Sequence, residues 1–375
     1  MNNKNQNEIL LSLLDIPTSV NIDIEKITHD EWNDLIEKAK SLRVASILYY
    51  SISKSDKASK IPKDVLMSLR KTYLYYLSIN MRLQKELSII IDKMQSEGIK
   101  IIILKGFALS ETVYNNIALR PMVDIDMIVN TAHFRSFDRI MLNLGWKNKS
   151  FMNRLGFNIE HNKHIEYSKD KLYIEVHPKI YELPLIDPWE RAIKTEIAGT
   201  KAFILGNEDF FMHLCLHLEY HGLSILSNLL WYIDILEFMK IHQDNIDWDY
   251  IINTAIKNKV NYHLYKILES INSQLGGNIP KHILKQLESD NSSQSKKMIT
   301  DLMARIFGHD ALPIHVKTYI TFRSIFPSKD YIIYHYSSKH PRLFFIYYFV
   351  HIKSGVKKLF NELIKIIFPT KHKKS

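Results

Sequence analysis

The segment from residue 99 to residue 130 constrains the fold most, because apolar strand patterns flank a helical one. It reads IKIIILKGFALSETVYNNIALRPMVDIDMIVN. The β-branched run at 99–104 predicts a strand covered on both faces, and a second apolar segment carries Asp124 and Asp126. Side chains two residues apart on a strand point the same way. The two carboxylates are therefore expected side by side on an otherwise apolar strand.

Two like charges at such a place are costly unless a cation lies between them. A divalent metal ion supplies that charge, and a pair of carboxylate oxygens suits Mg²⁺ or Mn²⁺. The alternative is that Asp124 and Asp126 only end an edge strand in solvent. The LKG sequence upstream and a Glu-x-His strand downstream favour a catalytic pair.

The Glu-x-His strand belongs to a predicted hairpin. Segments 164–168 and 171–177 alternate between polar and apolar residues, which is typical of paired strands. Glu175 and His177 share the polar face of the second strand, so Glu175 is a candidate third carboxylate. A partly buried structural role is at least as good an explanation for His177.

This arrangement resembles the nucleotidyltransferase fold of the DNA polymerase beta superfamily, in which a Gly follows an apolar strand and a helix leads to an Asp-x-Asp strand. More narrowly, it is similar to a bacterial branch of uncharacterised nucleotidyltransferases. The residues that carry this likeness are LKGFAL, Tyr114, Arg120 and Asp124-Ile-Asp126. One departure is that the superfamily has a Gly-Ser or Gly-Gly-Ser turn. Here Lys105-Gly106 precedes Phe107, so the phosphate-binding hydroxyl is missing.

The resemblance implies that an NMP moves from an NTP to a hydroxyl or phosphate of an acceptor, with release of pyrophosphate. The implied catalytic residues and ligands of Mg²⁺ or Mn²⁺ are Asp124, Asp126 and Glu175. The candidate nucleotide-binding residues are Lys105, Gly106, Arg120 and His177. A Gly at a strand-to-helix turn lets backbone amides approach a phosphate, and a Lys adds a point charge. The alternative is a plain turn with two solvated cations.

A later helical segment repeats histidine every four residues, at His213, His217 and His221. The apolar residues between them favour a packed helix over a metal site, because no HExxH-type Glu accompanies them. The resemblance to the family implies that His217 and Asp234 belong to a helical wall near the acceptor.

The whole pattern predicts an α+β fold that is mostly helical, with a small mixed β-sheet core between helical regions. The expected domains are a helical region at 1–98, the catalytic core at 99–200 and a helical region at 201–375. Thr28-x-x-Glu31 predicts a capping box in the first region, and Thr131 is the expected cap of a helix that runs to Leu144 in the core. The polar stretch ESDNSSQSKK, which begins at Glu288, predicts a surface linker in the last.

The net charge of +10 is concentrated at the carboxyl end. Residues 353–375 carry +6, and the other 352 residues carry +4. The amphipathic pattern of this basic tail suits contact with an anionic membrane or nucleic acid. The commoner alternative is a helix that docks on the protein body.

The remaining features point to a cytoplasmic protein. The single Cys215 excludes an internal disulfide and a Cys-rich zinc site. The amino terminus lacks a signal-peptide pattern, and no apolar stretch reaches the ~18 residues of a membrane span. The sequence leaves open the donor NTP, the oligomeric state and the acceptor, which can be a small molecule, a peptide, a protein or RNA. A degenerate nucleotide-binding protein or an adaptor for a membrane or nucleic acid is the alternative to an enzyme.

Overall fold

The computed structural model describes residues 3–17, 23–149 and 164–288. The chain divides into two compact units, residues 1–289 and 290–375. The second unit lies outside the described residues. So do the predicted basic tail at 353–375 and all but the first residue of the linker predicted from Glu288.

Helices make up most of the described chain and flank one sheet, which confirms the predicted α+β, mostly helical class. The α-helices are α1 (Asn3–Leu13), α2 (His29–Ser41), α3 (Ala45–Lys54), α4 (Lys63–Ser96), α5 (Lys105–Thr112), α6 (Phe134–Asn143), α7 (Asn207–His221), α8 (Ile225–His242), α9 (Trp248–Lys257), α10 (Asn261–Gln274) and α11 (Lys281–Glu288). No helix in these ranges combines the length and the apolar character that crossing a bilayer requires.

The sheet is mixed, as the sequence predicted. Its strands are β1 (Ile101–Ile103), β2 (Asp124–Val129), β3 (Lys147–Asn148), β4 (Ile165–Lys169), β5 (Leu172–His177), β6 (Ile193–Ile197) and β7 (Thr200–Ile204). They lie in the order β3-β4-β5-β2-β1-β7-β6. The β2–β5 and β1–β7 pairs are parallel, and the other pairs are antiparallel. The predicted hairpin is the β4–β5 pair.

Two helix starts test the predicted caps. The Thr28 side chain accepts from the backbone amide of Glu31, and the Glu31 carboxylate accepts from the Thr28 amide, which completes the predicted capping box. The second cap differs from the expectation. Asn130, not Thr131, accepts from the amide of Ala132, and a short 3₁₀ turn precedes α6. Asn130 comes directly after β2 in extended backbone, where its short carboxamide reaches the free amides.

The 34-residue helix α4 packs against the sheet and positions the loop that precedes β2. Its buried residues include the polar Asn80. The Asn80 amide nitrogen donates to the backbone carbonyl of Ile117 and, at 2.9 Å, to that of Arg120. One buried side chain thus satisfies two carbonyls of an irregular segment, which is what fixes the path of the chain into β2.

We expect Asn80→Ala to lower the free energy of unfolding by about 2 kcal/mol, because two carbonyls lose their donor. Urea unfolding followed by circular dichroism measures this change. Met81→Ala is the matched control, since Met81 is the next residue of α4 and 55% exposed. Its effect should stay within about 0.5 kcal/mol. Equal effects of the two substitutions would show that Asn80 does not hold the loop.

Candidate functional site

The site is built by the parallel pairing of β2 with β5. In this register Asp126 lies opposite Glu175, and Asp124 lies opposite Tyr173. His177 follows Glu175 by two residues and therefore projects from the same face. Ligand atoms of Asp126, Glu175 and His177 all lie within 4.8 Å of one another. Within the described ranges this group does not include Asp124, which sits one step further along the same face of β2.

Asp126 is the most strongly held carboxylate of the group. It is 8% exposed. Its Oδ1 atom lies 3.2 Å from Lys105 Nζ and 3.0 Å from His177 Nε2. Burial by itself would raise the pKa of Asp126, but Lys105 and His177 outweigh burial and hold that pKa well below its ordinary range. Asp126 is therefore ionised across the whole physiological range.

The pKa of Asp124 shifts in the opposite direction. Burial raises its pKa to about 6, and the negative charges of Asp126 and Glu175 add to this rise. Lys105 and Arg120 oppose the rise without cancelling it. No ion pair joins Asp124 to another residue of the described ranges. The site thus holds one carboxylate whose charge the protein does not neutralise.

Lys105 and Gly106 begin the first turn of α5, which is separated from β1 by Leu104 alone, where the sequence predicted a turn. Lys105 has a positive φ of 37°, and this backbone places its ammonium on Asp126. A Cβ atom at position 106 would lie 2.7 Å from Nη1 of Arg120. Gly106 is thus required by the close approach of this guanidinium.

Arg120 is fixed by a residue far along the chain. Its Nε lies 3.1 and 3.0 Å from the two carboxylate oxygens of Asp234 on α8, and its Nη2 lies 2.9 Å from Oδ2. Tyr114 Oη also donates to Asp234 Oδ1, at 2.8 Å. Arg120 is 7% exposed. The structure therefore brings Arg120 beside Gly106 but neutralises its charge with Asp234.

Two histidines of α7 lie against a carboxylate that the sequence did not single out. Glu182 lies 3.3 Å from His213 Nδ1 and 3.6 Å from His217 Nδ1. Burial lowers the pKa of His217 to about 4, although Glu182 opposes this shift. His217 also acts electrostatically on Asp126, so α7 borders the site. Glu182 stands in a non-repetitive segment after β5, which offers no local pattern that could have identified it.

The two aspartates of β2 should respond oppositely to the same substitution. With metal-free protein at pH 7.5 we expect Asp124→Asn to raise the free energy of unfolding by about 1–3 kcal/mol, because it removes a charge that folding disfavours. Asp126→Asn should lower the free energy of unfolding by about 3 kcal/mol, because it leaves Lys105 and His177 without their buried partner.

The pH dependence follows from the signs of the shifts. A raised carboxyl pKa costs stability above the folded value of about 6, and this cost disappears below the ordinary value of 3.8. The gain from Asp124→Asn should therefore shrink as the pH falls from 7 towards 4. Urea unfolding with EDTA at several pH values measures both effects. If the two variants shift in the same direction, this account of the site's charges is wrong.

Comparison with known proteins identifies a family for the chain that carries this site. Residues 28–276 match the family model described as uncharacterised nucleotidyltransferase. The matched range is more than half of the chain and contains the whole site. A search of curated proteins finds no match to this chain. The bacterial branch and the DNA polymerase beta superfamily stay predictions. The chain belongs to the uncharacterised nucleotidyltransferase family.

Proposed function

We propose that this protein transfers an NMP from an NTP to a hydroxyl or phosphate of an acceptor and releases pyrophosphate. The observation that carries the proposal is the row formed by Asp124 and Asp126 on β2 with Glu175 on β5. Family membership supports the reaction class, and the raised pKa of Asp124 supports a missing cation.

The donor atoms of this row fit a divalent metal ion. Asp124, Asp126 and Glu175 would hold it through carboxylate oxygens, which are the ligands that Mg²⁺ and Mn²⁺ prefer. His177 offers a nitrogen within the same group. When bound, the metal ion offsets the negative charge that builds up on the departing pyrophosphate and makes an attacking hydroxyl more acidic. The same cation would remove the electrostatic cost of ionised Asp124.

The remaining proposed roles belong to residues around the row. The amides of the first turn of α5, at Lys105 and Gly106, would face a phosphate, aided by the helix dipole. Arg120 would support this turn from behind, since its guanidinium lies against Gly106. Glu175 would accept the proton of the acceptor hydroxyl, and His177 would orient Asp126 or contact the nucleotide.

We also propose a role for each of the three regions that the sequence predicted. The core at 99–200 would supply the carboxylates. The helical region at 1–98 and the described part of the region at 201–375, which contains His217 and Asp234, would shape the acceptor side. The acceptor does not follow from the carboxylates, because the same transfer serves a hydroxyl of a metabolite, a peptide, a protein or RNA.

A transfer assay tests the proposal. Each α-labelled NTP is incubated with the full chain and Mg²⁺ or Mn²⁺, and pyrophosphate and labelled protein are measured, with mass spectrometry of any adduct. Substitution of any one of the three carboxylates (Asp124→Asn, Asp126→Asn, Glu175→Gln) should lower the rate by about 100-fold or more.

Asp170→Asn is the matched control. Asp170 is exposed in the turn between β4 and β5, and its φ of 50° suits Asn equally well. It should keep its rate within about twofold. NTP binding can be measured by calorimetry even when no acceptor is present. We expect the metal-dependent affinity for NTP to fall in Asp124→Asn. Unchanged turnover in Asp126→Asn, or no NTP binding by the unmodified protein, would refute the proposal.

A further inference from the structure

Arg43 is a cation near the site that no sequence pattern singled out. It follows α2, and its backbone lies in the left-handed region, with a φ of 60°. The Arg43 amide donates to the carbonyl of Lys40, and the next amide, of Val44, donates to the carbonyl of Ala39. These two bonds form a Schellman motif, in which Gly usually occupies the position of Arg43. An Arg at this position costs backbone strain, so the stability of the turn does not explain it.

The side chain of Arg43 reaches across to the helices that follow the sheet. Its guanidinium carbon lies 5.1 Å from the centroid of the Trp231 ring on α8. Trp231 precedes Asp234 by less than one helical turn, and its ring meets the ring of His217 at 5.7 Å. Asp234 and Asp124 both act electrostatically on the Arg43 guanidinium. Arg43 therefore lies on the Trp231 ring, within electrostatic reach of Asp234 and Asp124.

The positive charges around the row of Asp124, Asp126 and Glu175 are not all paired with carboxylates. Lys105 forms an ion pair with Asp126, and Arg120 forms one with Asp234. In the described parts of the chain, Arg43 makes no side-chain hydrogen bond or ion pair with any residue. The Arg43 side chain is half-buried, and this burial lowers the pKa of its guanidinium. A partly buried Arg without an anion is costly unless a ligand supplies one.

The ligand of the proposed reaction supplies such an anion. A nucleoside triphosphate with one divalent ion keeps a net negative charge on its phosphates. An Arg fork matches phosphate oxygens in a bidentate geometry, and stacking on an indole ring fixes its plane.

We propose that Arg43 binds the β- or γ-phosphate of the donor nucleotide, with Trp231 positioning its guanidinium. This assignment rests on the proposed function. It makes the helical region at 1–98 part of the nucleotide site and not only of the acceptor side. The donor is favoured over an acceptor phosphate because Arg43 acts on Asp124, which belongs to the proposed metal row.

Calorimetric titration of the full chain with NTP, NDP and NMP in Mg²⁺, without any acceptor, tests this assignment. Arg43→Gln should weaken NTP binding by about 10–100-fold, as expected for loss of a charge-assisted hydrogen bond. NMP binding should change by less than about twofold, because an NMP lacks the outer phosphates. Arg43→Gly should lose NTP affinity to the same degree while unfolding at an equal or higher urea concentration, since Gly relieves the positive φ.

Lys40→Gln is the matched control. It removes the same charge from the end of α2, where Lys40 pairs with Glu37 on the surface, and NTP affinity should not change. NTP binding by the unmodified protein with equal affinity in Arg43→Gln would overturn the Arg43 assignment alone. Equal weakening of NTP and NMP would also overturn it. No NTP binding by the unmodified protein would overturn the proposed function and this assignment together.

Discussion

The parallel pairing of β2 with β5 is the constraint on which the site depends. This register sets Asp126 opposite Glu175, and a shift of one residue would turn Asp126 or Glu175 to the other face. Two carboxylates held this close repel each other, so the fold must supply positive charge at the same place. The ammonium of Lys105 does so at Oδ1 of Asp126, and Nε2 of His177 lies within hydrogen-bond distance of the same oxygen. The strained backbone of Lys105 is then understandable as the cost of placing that ammonium.

A second interaction ties the helices after the sheet to this arrangement. Asp234 receives Arg120 and Tyr114 together, and Arg120 in turn covers Gly106. The loop before β2, the start of α5 and the helix α8 are therefore connected through one buried carboxylate. Asn80 holds the same loop through the backbone carbonyl of Arg120. These buried polar groups hydrogen-bond to one another and to the backbone, and so they hold the segments that flank the carboxylate row in place.

The sequence predicted those parts of the fold that follow from local periodicity. The buried strands, the β4–β5 hairpin and the capping box at Thr28 each depend on residues a few positions apart. The same periodicity placed Asp124 with Asp126 on one face of β2, and Glu175 with His177 on one face of β5. The register of the β2–β5 pair is what brings the two faces together. It could not predict the partner of Arg120, because Asp234 lies 114 residues further on. It also missed Glu182 and Arg43, whose positions are set only by how distant elements pack. The sequence predicted Gly106 as a residue whose backbone could approach a phosphate. In the structure, a Cβ at this position would collide with the Arg120 side chain.

The charges that the protein leaves uncompensated indicate the kind of ligand that suits the site. Most charged groups there are paired within the protein: Asp126 with Lys105 and His177, and Asp234 with Arg120. Asp124 lacks a cation, and Arg43 lacks an anion among the described residues, yet the two do not pair with each other. A ligand with charge of only one sign would attract one of these two groups and repel the other. A divalent metal ion bound together with a triphosphate would bring charges of both signs to the site. Such a complex would remove both costs at once, and for this reason the two unpaired groups support the same proposed donor.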